Sequence, residues 1–298
     1  MSPSDRTQTE LLPDEALLGL PFDQYERYAL TAQLVHRLWP ATRRPLRVLD
    51  VGGNSSPLKH LLPGDEVTLA DIEPPGSLKG LPLLFDRYVQ ASGAALPFAD
   101  GSFDVVAAHD TLEHVPPALR EPFLQELVRV SRRLVVVNGP VYHPHTVRAE
   151  RLLARFIGQA RTDERRFIAE HLQLGLPDRE QVEKIFHAAG LRMIGIPNGR
   201  LPEWLGMHLA RQLTSLLPTD RLGEGLDRAF NRLLAPTDFG GVCYREAFVV
   251  SLEPDDASPL EAAVVSAPLA PASRHCIRLG PGQSGTSPAA GRAFYVAS

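Results

Sequence analysis

The chain has 298 residues, 44% hydrophobic and 22% charged, as in an ordinary globular protein. Its formal net charge of -4 argues against a nucleic-acid-binding protein, because such domains usually carry a strong basic excess. Two cysteines, Cys243 and Cys276, are too few for a disulfide framework or a cysteine zinc cluster. The polar N-terminus and the lack of any run of ~20 apolar residues predict a cytoplasmic protein with no signal peptide and no transmembrane segment.

The N-terminal half predicts strands that alternate with helices. An N-terminal arm is expected over residues 1–21, and an amphipathic helix from Phe22 to Trp39 follows, with apolar residues at three- and four-residue steps. Short apolar runs that stop at glycine or proline are typical of buried strands. They predict four strands, at 47–53, 66–73, 87–92 and 103–108. A proline pair then starts a helix with four apolar side chains on one face: Leu119, Phe123, Leu127 and Val130.

The C-terminal half continues the alternation. Further strands are predicted at 133–139, 191–197 and 244–252, with a helix at 178–190. Strands that alternate with helices indicate a mostly parallel sheet with right-handed crossovers. The sequence therefore predicts an α/β fold, a doubly wound (Rossmann-like) sheet of seven strands, built from residues 22–252.

Two segments interrupt the alternation. Residues 140–177 and 198–242 carry helical patterns, and each follows the carboxyl end of a predicted strand. Open α/β sheets bind ligands beyond the carboxyl ends of their strands, so we expect both insertions to form a helical lid over the site. Residues 253–298 are rich in alanine, proline, serine and glycine, which predicts a flexible tail.

A candidate nucleotide site lies at the tips of the first two strands. Asp50, Gly52 and Gly53 end the first strand, where glycine lets a ligand approach the backbone closely. Asp71 ends the second strand, where a carboxylate can accept hydrogen bonds from both hydroxyls of a ribose. These residues alone do not separate a dinucleotide site from an adenosylmethionine site. The G-x-G-x-x-G spacing that binds pyrophosphate is absent, since Gly52 is followed by Gly-Asn-Ser-Ser-Pro.

A second motif distinguishes between a dinucleotide site and an adenosylmethionine site. The block LPFADGSFDVVAAHDTLEHVPP covers residues 96–117. Together with the strand tips, it resembles the class I S-adenosylmethionine-dependent methyltransferases, in particular the bacterial group that includes ubiquinone and menaquinone biosynthesis methyltransferases. The resemblance covers residues 22–139 well and continues more loosely through 178–197 and 244–252. It implies S-adenosylmethionine as the cofactor and an antiparallel last strand.

The resemblance also implies roles for residues at the methionine end of that cofactor. Asp50 and Gly52, with Gly53 beside them, would face the methionine moiety. His109 would lie at the tip of the fourth strand, beneath the same end.

At the adenosine end, the resemblance assigns the ribose to Asp71, one flank of the adenine to Ile72 and the adenine amino group to Ser92. The sequence departs from the family at three positions. Asn54 and Ser56 replace common glycines, and Ser92 stands where aspartate is frequent. Asn tolerates the left-handed backbone region better than most residues, so Asn54 remains compatible with the turn.

Candidate catalytic residues follow the fourth predicted strand. Asp110, Glu113 and His114 have the spacing i, i+3 and i+4, which places them on one face if the stretch is helical. They are interpreted as a general base, as a hard-metal site that orients a catechol-like acceptor, or as hydrogen-bonding groups that hold the loop. The sequence assigns no resident metal. In the quinone-pathway relatives this region lies near the acceptor, which the resemblance would place here too.

The first insertion carries further candidates. His143 and His145 follow the fifth strand at the border of the expected acceptor pocket, and His171 lies later in the insertion. The arginines of this insertion are interpreted either as a solvated helix face or as groups that attract an anionic acceptor or membrane surface. They are Arg148, Arg151, Arg155, Arg161, Arg165 and Arg166.

Three functions remain open at this point. The sequence favours methyl transfer by direct displacement to a small-molecule acceptor, which would be anionic or lipid-linked if the arginine-rich and leucine-rich insertions bind it. A non-catalytic methyltransferase-fold module or partner subunit is the alternative that Asn54 and Ser92 favour. A nicotinamide-dependent oxidoreductase is disfavoured by the missing pyrophosphate motif.

Overall fold

A computed structural model describes residues 15–39, 44–79, 81–157, 162–252 and 278–279. The strands are β1 (Arg47–Val51), β2 (Glu66–Asp71), β3 (Arg87–Gln90), β4 (Phe103–His109), β5 (Ser131–Pro140), β6 (Met193–Arg200), β7 (Cys243–Ser251) and β8 (Arg278–Leu279). They form one sheet with the order β3-β2-β1-β4-β5-β7-β6-β8. Strands β1 to β6 run in one direction, and β7 and β8 are antiparallel to their neighbours. The predicted doubly wound, seven-stranded and mostly parallel sheet is confirmed, with β8 added at one edge.

Eight α-helices accompany the described strands. They are α1 (Phe22–Leu38), α2 (Leu58–Leu61), α3 (Pro117–Val130), α4 (Pro144–Phe156), α5 (Thr162–Leu174), α6 (Arg179–Ala188), α7 (Leu201–Thr214) and α8 (Arg221–Leu233). Short 3-10 helices occur at Leu17–Gly19, Leu112–His114 and Ala235–Thr237. No helix within the described ranges combines the length and apolar character needed to cross a membrane.

Both faces of the sheet are buried, as expected for parallel strands covered by helices. In β1, Val48 packs with α1 on one face, whereas Leu49 and Val51 pack with α3 and α6 on the other. This alternation follows from the two-residue period of a strand. Apolar residues occur in succession because both faces lie against helices.

Helix α3 differs from its prediction at one position. Phe123, Leu127 and Val130 are buried as expected. Leu119, which we placed on the same face, is 45% exposed and lies at the rim of the cavity described below. It belongs to the first turn of α3, which extends past the apolar contact with the sheet.

The two insertions are helical, as predicted. Helices α4 and α5 follow β5, and α7 and α8 follow β6. They share a separate apolar cluster with the start of α1, and its large members include Phe22, Leu153, Ile168, Trp204 and Phe230. The insertions therefore pack against each other and against α1 at the carboxyl edge of the sheet.

The two ends of the chain are described only in part. Within the expected N-terminal arm, Leu17, Leu18 and Leu20 are buried, and Asn231 of α8 donates hydrogen bonds to two of their carbonyl oxygens. Of the tail predicted as flexible over 253–298, residues 278–279 pair with β6. The rest of that tail and residues 1–14 lie outside the described residues.

Candidate functional site

A cavity of about 1050 Å³ opens at the carboxyl edge of the sheet. The tips of β1, β2, β3 and β4 form one side of it, and residues of both insertions form the other. The sequence-predicted residues on its wall are Gly52, Asp71, Ile72, Ser92, His109, Asp110, Glu113 and His114. Asp50 and Gly53 lie directly behind that wall, where both are buried.

The turn after β1 requires glycine for two reasons. Gly52 has a φ of +79°, in the left-handed region that favours glycine. A Cβ atom at this position would lie 2.3 Å from Oγ1 of Thr111, so a side chain does not fit. Thr111 donates from the same oxygen to the carbonyl of Val51, which holds the two loops together. Sequence reasoning did not single out Thr111.

A carboxylate stands at the tip of β2. The two oxygens of Asp71 accept hydrogen bonds from the backbone N–H groups of Asn54, at 3.1 Å, and Glu73, at 2.9 Å. Burial raises the pKa of Asp71 in spite of these two hydrogen bonds. Each carboxylate oxygen can still accept another donor. Next to it, Ile72 is 66% exposed, and Ser92 is exposed just after β3.

A buried row of polar groups fixes the tip of β4. His109 contacts Oδ1 of Asp50 through Nδ1, at 3.1 Å, and Oγ1 of Thr31 through Nε2, at 2.8 Å. The ring of Tyr28 lies 4.2 Å from the imidazole, centroid to centroid. Because α1 supplies both Thr31 and Tyr28, this helix sets the orientation of His109 at the cavity wall.

Asp110 is held by two arginines. Nε and Nη2 of Arg245 donate to its two oxygens, each at 2.8 Å, and Arg27 donates to one of them as well. Burial raises the pKa of Asp110, but the charges of Arg245 and Arg27 and the hydrogen bonds outweigh it, so the pKa lies well below its usual range. A carboxylate paired in this way is a poor proton acceptor.

The stretch that carries the candidate catalytic residues is not one helical face. Asp110 has a φ of +43°, and the 3-10 helix begins only at Leu112. The spacing i, i+3 and i+4 places three residues on one face only when all of them are helical, and Asp110 is not. As a result, Asp110 points to the arginines of α1 and β7, whereas Glu113 and His114 meet the first insertion.

Glu113, His114 and His171 form a cluster where that insertion crosses the 3-10 helix. Nε2 of His114 and Nε2 of His171 are 3.3 Å apart, and Oε1 of Glu113 lies 4.0 Å from the latter. Glu113 is 1% exposed, and burial followed by repulsion from Asp110 raises its pKa to about 8. Burial and the nearby His171 lower the pKa of His114.

A carboxylate and a phenol extend this cluster into the interior. Oε1 of Glu150 accepts hydrogen bonds from Nδ1 of His171 and from the hydroxyl of Tyr244, both at 2.8 Å. Burial lowers the pKa of His171, but the hydrogen bond to Glu150 and the negative charges around it raise the pKa overall. The Tyr244 ring stacks on Trp204 of α7 at 3.7 Å, so this network joins both insertions to β7.

Most of the other polar candidates of the first insertion lie away from the cavity. His143 caps α4, because its Nδ1 accepts the backbone N–H of His145 at 3.2 Å. Arg148, Arg151, Arg155 and Arg165 are exposed, as the interpretation of a solvated face expects. Arg166 is the arginine of this group that lines the cavity within the described residues, and Arg161 lies outside them.

Comparison with known proteins identifies the family. A model of the methyltransferase domain matches residues 49–135. A ubiquinone/menaquinone biosynthesis C-methyltransferase from Hahella chejuensis is 30% identical over 188 residues, which cover 53% of this chain and 74% of that protein. The chain belongs to the class I S-adenosylmethionine-dependent methyltransferases. The methyl donor of this enzyme family is therefore S-adenosylmethionine, as the sequence predicted.

Two further relatives show how far the similarity extends. The ubiquinone/menaquinone biosynthesis C-methyltransferase of Azotobacter vinelandii is 30% identical over 195 residues, which cover 55% of this chain and 76% of that protein. An uncharacterized methyltransferase of Mycobacterium sp. (strain JLS) is 35% identical over 144 residues. In that case the alignment spans 45% of this chain and only 56% of the relative.

Proposed function

We propose that S-adenosylmethionine binds along the strand tips of the cavity, with its ribose on Asp71 and its methionine end beside Gly52 and His109. Asp71 is half-buried, and its oxygens retain the capacity to accept from two hydroxyl groups. Gly52 lies on the cavity wall at the tip of β1, where a glycine leaves the backbone accessible to a ligand. Both observations fit the predicted donor.

The remaining predicted contacts fit the same placement. Ile72 and Ser92 lie beside Asp71 on the cavity wall, at the adenine end. Asp50 and Gly53 support the methionine end from behind, Asp50 through its hydrogen bond to His109. One oxygen of Asp50, Oδ2, is buried and has no hydrogen-bond partner among the described residues. Asp50 would therefore act on the methionine end through His109, which it holds at the cavity wall.

We infer that the acceptor is a small molecule that binds between the strand tips and the insertions. This inference rests on one observation: the predicted donor site and residues of both insertions line the same cavity. Its lid side combines Leu153, Phe167, Ile168 and Trp204 with Arg166, which lies 4.0 Å from Glu170. Arg211 also lines the cavity, but it is paired with Asp220 and Asp227. The apolar lining suits an acceptor with an apolar body, and Arg166 is the lid cation that an anionic or lipid-linked part would meet.

The names of two relatives favour an apolar ring as the methyl acceptor. The Hahella and Azotobacter proteins are named for ubiquinone and menaquinone biosynthesis. Here the ring would lie between Phe167 and the tip of β4, close to Glu113 and His114.

S-adenosylmethionine supplies an already activated methyl group, so the protein contributes mainly proximity and alignment. The acceptor also loses a proton when it is a hydroxyl, an amine or an activated carbon. The general-base roles predicted for Asp110, Glu113 and His114 remain predictions. Glu113 is the better placed carboxylate, because both oxygens of Asp110 are already bound to Arg245. With a pKa of about 8, Glu113 is mostly protonated at neutral pH, so it would act as a base only after it has lost that proton.

A turnover assay tests this proposal. The full chain is incubated with labelled S-adenosylmethionine and, in parallel, small phenols, quinols, a peptide mixture and RNA. We expect adenosylhomocysteine to form with at least one apolar phenol or quinol, and Asp71→Ala to reduce its formation at subsaturating donor. Methylation of peptide or RNA alone would contradict the small-molecule proposal. No turnover by a chain that binds the donor would favour the non-catalytic alternative.

A further inference from the structure

We propose that Glu113, His114 and His171 bind one divalent transition-metal ion of the zinc type. Glu113 offers one carboxylate oxygen, and each histidine offers one ring nitrogen. These three ligand atoms all lie within 4.8 Å of one another. Imidazole nitrogen and carboxylate oxygen are ligands that Zn²⁺ and the neighbouring first-row ions accept. The set joins the 3-10 helix after β4 to α5 of the lid.

The arrangement of the two imidazoles is the first argument. Nδ1 of His114 contacts Glu170 at 2.8 Å, and Nδ1 of His171 contacts Glu150 at 2.8 Å. A neutral imidazole that donates from Nδ1 presents a lone pair at Nε2. Both lone pairs then face each other across 3.3 Å, an arrangement that is repulsive unless a cation lies between them.

That separation also suits a metal. In a tetrahedral site with metal–nitrogen bonds of about 2.0–2.1 Å, two ligand atoms lie roughly 3.3–3.4 Å apart. The two Nε2 atoms already have this spacing. The competing arrangement is a proton shared between the rings, which makes one of them an imidazolium, and the experiment below separates the two.

Glu113 supplies the second argument. Its side chain is 1% exposed, and neither of its oxygens has a hydrogen-bond partner among the described residues. Burial of a carboxyl group without a hydrogen-bond partner is costly whether or not it is ionised. Oε1 lies 4.0 Å from Nε2 of His171, so a small movement would bring it into the coordination shell of an ion held by the two rings.

The surroundings of the two histidines provide the third argument. Metal-binding histidines usually donate their other ring N–H to a carboxylate, which fixes the ring and raises the basicity of the ligand. Glu170 has this role for His114, and Glu150 has it for His171. Tyr244 in turn donates to Glu150. A pair of histidines that are merely packed together would not require two such carboxylates.

This site differs from the hard-metal site that the sequence suggested at Asp110, Glu113 and His114. Asp110 is excluded from it because Arg245 and Arg27 occupy its oxygens. His171 enters instead, and two nitrogen ligands favour zinc-type ions over Mg²⁺, which prefers oxygen. Three protein ligands leave one coordination position of a tetrahedral ion, and all three residues line the cavity. The ligand class for that position is an acceptor hydroxyl or phenolate oxygen, a point that rests on the proposed function.

Metal binding can be measured without donor or acceptor. The full chain, freed of metal by a chelator, is titrated calorimetrically with Zn²⁺ alone, and Co²⁺ is added in parallel as a probe with visible absorption. We expect one site per chain and a Co²⁺ spectrum of a tetrahedral or five-coordinate ion. His114→Gln and His171→Gln should each weaken Zn²⁺ binding at least about tenfold. His187→Gln, on an exposed residue of α6, is the matched control and should leave binding unchanged.

Two results would overturn the proposal. One is the absence of stoichiometric Zn²⁺ binding, which would leave the shared proton as the explanation of the histidine pair. The other is Zn²⁺ binding that both variants retain at full affinity. Circular dichroism checks that the variants fold, and His114→Gln is the safer of the two because that side chain is 26% exposed. Because neither donor nor acceptor is present, failure here would not affect the test of methyl transfer.

Discussion

Arg245 of β7 donates hydrogen bonds from Nε and Nη2 to the two oxygens of Asp110, each at 2.8 Å. The two residues are 135 positions apart in the sequence. Arg245 is 2% exposed, and burial is the largest influence on its pKa, which the charge of Asp110 nevertheless raises above its ordinary value. The pair ties the loop after β4 to the antiparallel strand β7. It also fixes Asp110 in its left-handed conformation, and with it the start of the 3-10 helix that carries Glu113.

Loss of this pair should destabilise the fold. We expect Arg245→Met to lower the free energy of unfolding by about 3–5 kcal/mol, because it leaves a buried carboxylate with one partner fewer. Arg155→Met, on the exposed face of α4, should change it by less than about 0.5 kcal/mol. Denaturant unfolding at neutral pH measures both, and equal stability of the two variants would show that the ion pair is dispensable. Asp110→Asn added to Arg245→Met should recover part of the loss.

The turn at Gly52 should tolerate no side chain. Gly52→Ala places a Cβ atom 2.3 Å from Oγ1 of Thr111 at a φ of +79°, and the left-handed conformation alone costs about 1–2 kcal/mol. We expect lower stability and at least about tenfold weaker adenosylmethionine binding. Gly64→Ala is the control, since an added Cβ there meets no atom within 4 Å. Denaturant unfolding and calorimetry together test this, and wild-type affinity in Gly52→Ala would contradict a role of this turn in shaping the donor site.

Asp227 of α8 should make stability depend on pH. Burial raises its pKa to about 6, although Arg211 and the N–H of Phe22 lower it. Between about pH 4 and 6 the folded chain keeps a proton that the unfolded chain releases, so stability falls as pH rises through this window. Asp227→Asn lacks this effect, so its stability relative to wild type should rise by about 1–2 kcal/mol from pH 4 to 7. A constant difference across that range would contradict the raised pKa.

The fold and the donor end of the site could be predicted because their signals are local. The strand tips at Gly52 and Asp71 and the block around His109 each lie within a short stretch of chain. Burial on both faces makes parallel strands apolar throughout, and this property is visible without any partner. The roles assigned to individual residues there remain predictions that binding experiments must test.

The buried contacts around the proposed acceptor site could not be predicted in the same way. Arg245 lies in the apolar run YREAFVVSL, and a charge inside a buried strand does signal a missing partner. The sequence gives no means of naming that partner as Asp110. His171 was noted, but its pairing with His114 depends on how α5 packs, since 57 positions separate them. Such contacts are set by tertiary packing and have no periodic pattern.

The insertions should determine which acceptor is methylated. Helices of residues 140–177 and 198–242 line the cavity opposite the strand tips, and lids of this kind exclude water and can gate turnover. Hydrogen exchange is measured with adenosylhomocysteine, with and without an acceptor analogue. We expect the analogue to protect α5 and α7 in particular. Protection confined to the strand tips would contradict the lid assignment and favour a role in association.

The central claim is that the strand tips bind S-adenosylmethionine through Asp71, and calorimetric titration tests it most directly. The full chain should bind S-adenosylmethionine and adenosylhomocysteine at one site and should not bind NAD. Asp71→Ala should weaken binding at least about tenfold, because two hydrogen bonds to an ionised group, each worth about 1.5–3 kcal/mol, are lost. Glu66→Ala, at the opposite end of β2, should bind like wild type. Tighter binding of NAD than of S-adenosylmethionine, or unchanged affinity in folded Asp71→Ala, would contradict the account.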